Sequence, residues 1–398
     1  MQRLAILLLT LVALPLSPEN GPALQKITVA ELEQVLNAAH GRPDAEVARE
    51  LVDMELTERL STAKLAHWSA NLRGSMTWQA LIALADTSAF LEPPATEIPA
   101  IAKPNLSMQS KIVSQAANYV FKNAPRLPNF FATKDTAEFQ DILTTPNNTV
   151  SMTNVNSHLH YVGSSSATVL YRDGREVREV LGETGAKDAR DTPSSNGLNA
   201  WGVFGPLLST VMEDVLRGKM IWSHWEQGPT GPLAVFRYEV LEGRSHYEVS
   251  YCCVGSNSGD FKRIPSPLFE TVPGYHGEIA VDPVSGAILR LVLQTDLQPT
   301  LPIVRADTIV EYGPEEIGGE TYICPVKSVS ASKSAVSSVN APWFYTGTTT
   351  GPKMTTLNDA VFRQYHLFRG ETRILPQGKD ERDTNPTAPV PPAVSHEP

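Results

Sequence analysis

The stretch from Tyr275 to Ser330 constrains the fold more than any other part of the chain. It reads Y-H-G-E-I-A-V-D-P-V-S-G-A-I-L-R-L-V-L-Q, then R-A-D-T-I-V-E-Y-G, then I-G-G-E-T-Y-I-C-P-V-K-S-V-S. Turn residues punctuate it at Asp282–Gly286, Gly313–Pro314 and Gly318–Gly319. The four runs between them are rich in Val, Ile, Leu and Tyr, the pattern of consecutive antiparallel strands.

Upstream, Thr168–Tyr171 and Glu176–Val180 flank Asp173–Gly174, which predicts a two-residue hairpin. Leu207, Leu208, Val211, Val215 and Leu216 predict a helix over Ser209–Arg217, closed by Gly218. Strands are expected at Met220–Trp225, Val235–Val240, Tyr247–Val254, Phe362–Phe368 and Thr372–Leu375, with long polar loops at Gly182–Asn199 and Ala331–Asp359. Residues 127–376 therefore predict an α+β fold. Its large antiparallel sheet is curled by twist into a half-barrel around one internal helix.

Residues 24–92 have helical periodicity instead. Thr28 and Glu31 form a capping box ahead of Leu32, Val35, Leu36 and Ala39. Asp44 is placed to cap a second helix carrying Val47, Leu51 and Met54, and Ser61 a third carrying Leu65, Trp68 and Leu72. A fourth follows Gly74–Ser75 around Leu81, Ile82 and Leu84, so a small helical bundle is expected. Residues 93–126 read as a Pro-rich connector followed by a helix over Ser107–Asn123, with Ile112, Ala116, Tyr119 and Val120 on one side. Residues 377–398 carry five prolines and no core residues, which predicts disorder.

Met1–Gln2–Arg3 and the 13 residues Leu4–Leu16 have the form of a secretory signal peptide over residues 1–23, with cleavage after Ala23; the alternative is an uncleaved anchor. The run is short for a bilayer span. The expected destination is the periplasm or the exterior, without a membrane span after cleavage. A net charge of −10 argues against nucleic acid as a partner. Cys252, Cys253 and Cys324 are an odd set, read as buried small hydrophobes or as one Cys253–Cys324 bridge with a thiol left over.

Several segments in order carry a resemblance: the hairpin around Asp173–Gly174, the helix after Gly205, V-F-R-Y-E-V at Val235–Val240, G-E-I-A-V-D-P-V-S-G-A-I-L-R at Gly277–Arg290, and I-G-G-E-T-Y-I-C-P-V. Together they resemble the periplasmic lipoprotein-carrier superfamily of LolA and RseB type. The whole chain resembles exported bacterial proteins with a helical segment ahead of such a sheet. The resemblance implies an apolar concavity for acyl chains, or a surface that senses envelope lipoproteins. It fixes no individual residue.

Strand alternation puts Phe236, Tyr238 and Val240 on one face, and Tyr247, Val249 and Tyr251 on another. These six either line such a cavity or pack beneath the helix. His158 and His160 share a strand face without a third ligand at fixed spacing, and His276 and Glu278 pair a base with a carboxylate. The chain has no G-x-S-x-G, H-E-x-x-H, Walker loop or G-x-G-x-x-G, and neither a metal nor a cofactor is implied. The expectation is a non-enzymatic exported protein binding a lipid, acyl chain or acylated lipoprotein. The alternative is an envelope sensor whose residues 27–91 dock a protein partner. A hydrolase using His158, His160 or His276 is a third reading.

Overall fold

The computed structural model describes residues 24–69, 72, 74–144, 150–177, 198, 202–251, 269–335 and 353–368. The expected signal peptide, Cys252, Cys253, Thr372–Leu375 and the C-terminal segment lie outside the described residues.

The turn residues act as their chemistry allows. Asp173 and Gly174 take φ of 52° and 79°, joining β4 (Val150–Arg172) to β5 (Arg175–Val177) as a two-residue hairpin. Gly286 at φ 78° closes the turn between β10 (Tyr275–Val281) and β11 (Ile288–Thr295). Gly318 and Gly319, at φ 66° and 92°, join β12 (Ile303–Ile317) to β13 (Glu320–Ala335). Gly313–Pro314 is not a turn: both lie inside β12, next to a register shift at Glu311/Tyr312. A bulge is one of the few places where a strand tolerates proline's missing N–H.

These strands belong to a ten-stranded antiparallel sheet of order β5-β4-β3-β14-β13-β12-β11-β10-β7-β6, which is not closed into a barrel. The remaining members are β3 (Phe130–Thr144), β14 (Lys353–Leu367), β7 (Pro232–Val240) and β6 (Lys219–Gln227). Residues 331–335 and 353–359, expected in a loop, are strand; the ladder between them is made by backbone N–H and C=O groups, which polar residues carry as apolar ones do. The strand expected at Tyr247–Val254 is shorter and lies apart: β8 (Val249–Tyr251) pairs only β9 (Phe269–Thr271), in a separate sheet.

Two helices cover one face of the large sheet, here called the inner face. One is α6 (Pro206–Arg217), the expected internal helix; the other is α5 (Leu106–Asn123). The sequence placed α5 in a connector, yet Ile112, Ala116 and Val120 are fully buried in the same core as Val211, Met212, Phe236 and Tyr238. Helix α6 alone is too short to cover the sheet, and α5 supplies the second apolar stripe.

The helical segment covers part of the outer face. It comprises β1 (Gln25–Ile27), α1 (Val29–Ala38), α2 (Asp44–Val52), β2 (Met54–Leu56), α3 (Thr62–Ser69) and α4 (Ser75–Ser88). The capping box is present, with the Glu31 N–H donating to Thr28 Oγ1 and the Thr28 N–H to Glu31 Oε2. Asp44 does not cap its own helix. Its carboxylate accepts the N–H groups of Met76 and Thr77 at 3.1 and 2.9 Å, and so caps α4. The N-cap of α4 is Gly74, and a Cβ there would lie 1.9 Å from Asp44 Oδ1. Leu81 and Leu84 of α4 join the segment's own core, whereas Ala83 packs on Phe139, Val292, Ile309, Val329 and Leu357 of the sheet.

Candidate functional site

The inner face divides in two. Under α5 and α6 it is apolar and aromatic, with Phe130 in ring contact with Tyr171, Phe204 and Tyr365. Along β13 and β14 it turns polar. Ser328, Ser330, Ser332, Thr356 and Asn358 are buried, and cross-strand register puts them on the face of Ala360 and Val310.

Three of the six expected lining residues, Phe236, Tyr238 and Val240, are buried in the core beneath α6. There they are held by packing: Tyr238 Oη donates to Val292 O at 2.6 Å, crossing over Gly277. Tyr247 lies between two apolar clusters, and burial pushes its hydroxyl up to about 12. Val249 packs with Leu198, Ile303 and Ala306, while the side chain of Tyr251 lies outside the described residues. Cys324 is buried with its thiol pushed up to about 12 by burial, and the Cys253 half of the expected bridge lies outside the described residues.

The open space on the inner face is elsewhere. A cleft of about 320 Å³ lies between α5, the start of α6 and strands β11, β12 and β13. Val120, Leu127, Phe204, Leu208, Ile288 and Ile323 give it apolar walls. Arg126, an exposed residue just beyond α5, is its single full charge. Tyr119 and Tyr322 add hydroxyls. The sequence signal for this cleft was the α5 stripe, assigned to a connector and so not paired with the sheet.

A second, smaller cavity of about 160 Å³ lies on the outer face, between the end of α4 and strands β7, β10 and β11. His276 and Glu278 both line it, as strand alternation predicted, together with Glu92, Arg237, Arg290 and Gln294. His276 Nδ1 is 2.9 Å from Asp296 Oδ1. Behind this wall runs a chain of alternating charges. Glu226 Oε2 accepts from Arg59 at 2.7 Å and Arg290 at 2.5 Å; Arg237 donates to Glu278 at 3.1 Å and also to Glu92. Burial raises the Glu278 carboxyl above its ordinary range despite Arg237. The Glu226 carboxyl is held below its range, because His224 and Arg59 outweigh its burial.

His158 and His160 are not drawn into a ligand set among the described residues. His158 Nδ1 is 2.7 Å from Val52 O, which fastens β4 to α2, and burial lowers the His160 pKa. A third histidine, unremarked in the sequence, is better oriented: the wholly buried Asp214 carboxylate takes the His246 N–H at 2.8 Å, His246 Nδ1 at 2.5 Å and the Tyr275 hydroxyl at 2.9 Å.

Residues 27–91 leave little apolar surface. Met76 and Leu91 are their large exposed apolar side chains among the described residues. No described helix is long and apolar enough to cross a membrane. No protein family, curated protein or solved structure matches the chain.

Proposed function

We propose that the protein is exported and binds a single-chain amphipathic lipid, a fatty acid or the acyl group of a lipoprotein, in the inner-face cleft. The observation that carries this is the cleft itself: about 320 Å³ of apolar-walled space with one cation, Arg126, beside it. Its volume falls in the ordinary range for small-ligand sites, roughly 300–1,000 Å³, and a few polar groups among apolar walls are their usual composition. The acyl chain lies against Leu208, Ile288 and Ile323, and Arg126 meets the carboxylate or headgroup at the opening. The polar surface along β13 and β14 is ill-suited to a hydrocarbon chain, so the ligand stays at the α5–α6 end.

The test is titration with a dansyl-labelled fatty acid, followed by fluorescence and by competition with unlabelled fatty acid. Saturable one-to-one binding is expected. Ile323→Trp, which fills the cleft, should weaken it by more than about tenfold, or about 1.4 kcal/mol. Arg126→Gln should weaken the free acid while sparing its methyl ester. No saturable binding, or binding unchanged by Ile323→Trp, overturns the proposal.

A further inference from the structure

We propose that Glu92, His224 and Glu278 form a divalent-metal site of the zinc class, with one coordination position open to the outer-face cavity. Their ligand atoms, two carboxylate oxygens and one imidazole nitrogen, all lie within 4.8 Å of one another. Zinc bonds such atoms at about 2.0–2.2 Å, so a modest contraction closes the set. Glu92 can supply it, because it follows α4 outside any helix or strand and its side chain is 61% exposed. The other two ligands project from strands and hold their places.

The local fold turns His224 toward this site. Along β6, Trp222 pairs with Phe236 on the inner face, and simple alternation would send His224 there as well. A register shift between Trp222 and His224 instead pairs His224 with Val235, on the outer face with Arg237 and Glu278. Bulges re-aim side chains in this way, often beside functional sites. Its two ring nitrogens are in unlike settings. Nδ1 is 2.9 Å from Ser223 Oγ, whereas Nε2 is buried without a hydrogen-bond partner among the described residues. The nearest carboxylate to Nε2, that of Glu226, is at 3.8 Å, too far for a hydrogen bond. One nitrogen fixed by an outer hydrogen bond and the other left bare is how a ligating histidine is set up.

Charge balance identifies the group that a metal ion displaces. Glu226 is taken up by Arg59 and Arg290, while Glu92 and Glu278 share Arg237, with Arg290 a second, more distant partner of Glu278 at 3.7 Å. The Arg237 side chain is 47% exposed and can turn out to water, leaving the two carboxylates and the His224 imidazole for the ion. Glu92 and Glu278 also line the cavity, so a fourth ligand, water or a small molecule, approaches from that side. Arg290, its side chain 9% exposed, borders the same cavity with Nε and Nη1 lacking partners among the described residues, and these suit an anionic or carbonyl oxygen on such a ligand.

The experiment is calorimetric titration of Zn²⁺ into tag-free, chelator-treated full-length protein, with circular dichroism to establish that each variant is folded. One site per chain is expected. His224→Ala and Glu278→Gln should each weaken it by more than about tenfold, and His246→Ala should leave it unchanged. Arg237→Gln should tighten binding, an effect that loss of structure cannot mimic. Absence of one-to-one binding, indifference to His224→Ala, or weaker binding by Arg237→Gln overturns the assignment.

Discussion

Replacing Lys327 by methionine tests how the helical segment is held to the sheet. Lys327 Nζ lies 2.6 Å from Asp86 of α4 and 3.5 Å from Asp359 of β14, with the three side chains 14%, 3% and 7% exposed. Methionine preserves the stem but leaves two buried carboxylates facing each other. Removing one partner of a buried pair costs about 3–5 kcal/mol. The lower end applies near neutral pH, because burial and then Asp359 raise the Asp86 pKa from 3.8 to about 8. Between those values the folded chain keeps a proton that the unfolded chain has released. The Asp86 contribution is thus complete below the lower value and is lost as pH rises through about 8. Without Lys327 that pKa climbs further, so the deficit of the variant should grow with pH: about 3 kcal/mol at pH 6 and more at pH 9. Urea unfolding followed by tryptophan fluorescence reads this directly, since Trp68 and Trp78 report the helical segment and Trp222 and Trp225 the sheet. A loss under about 1 kcal/mol, the value of a screened surface pair, or an equal loss at both pH values, would refute the reasoning.

Two further perturbations address the inner core. Asp214→Ala strands the His246 N–H and the Tyr275 hydroxyl, each costing about 1–3 kcal/mol; a fall in thermal midpoint of several degrees is expected, and an unchanged midpoint counts against a structural carboxylate. Gly277→Ala sets a Cβ 1.9 Å from Val292 O and 3.0 Å from Tyr238 Oη; overpacking of about 1–3 kcal/mol should appear as a lower urea midpoint, and a neutral result would mean that β10 and β11 separate easily.

Local chemistry was legible in the sequence and long-range chemistry was not. The Thr28–Glu31 capping box and the Asp173–Gly174 hairpin are each specified within a few residues, and both form as read. Asp44 was read as a cap as well, but it caps α4, 32 residues away from Met76. Position in the chain could not reveal this, because only the tertiary fold brings the start of α2 to the start of α4, where Gly74 leaves room for the Asp44 carboxylate. The α5 stripe was likewise visible in Ile112, Ala116 and Val120, but not the face that it would meet. His276 and Glu278 could be paired from strand period alone; His224 could not, since one bulge reverses the face on which period two would put it.

That reversal bears on what the outer-face charges are for. Attaching the helical segment does not require them, because Ala83, Ile82, Ala89 and Phe90 already press an apolar surface onto Phe139, Val292, Ile309 and Leu357. Buried ion pairs add little beyond such packing, and apolar residues of similar volume often hold as well or better. Yet next to that contact lie three arginines, three glutamates and a histidine, several of their nitrogens without partners among the described residues, and a cavity of about 160 Å³ beside them. Desolvating these groups has a cost that packing alone does not offset, and a bound ion with its fourth ligand would offset it. The inner-face cleft and the outer-face cluster thus make separable demands on the chain. A variant that fills the cleft at Ile323 should leave Zn²⁺ binding intact, and His224→Ala should leave fatty-acid binding intact; coupling between them would mean that the sheet transmits one occupancy to the other.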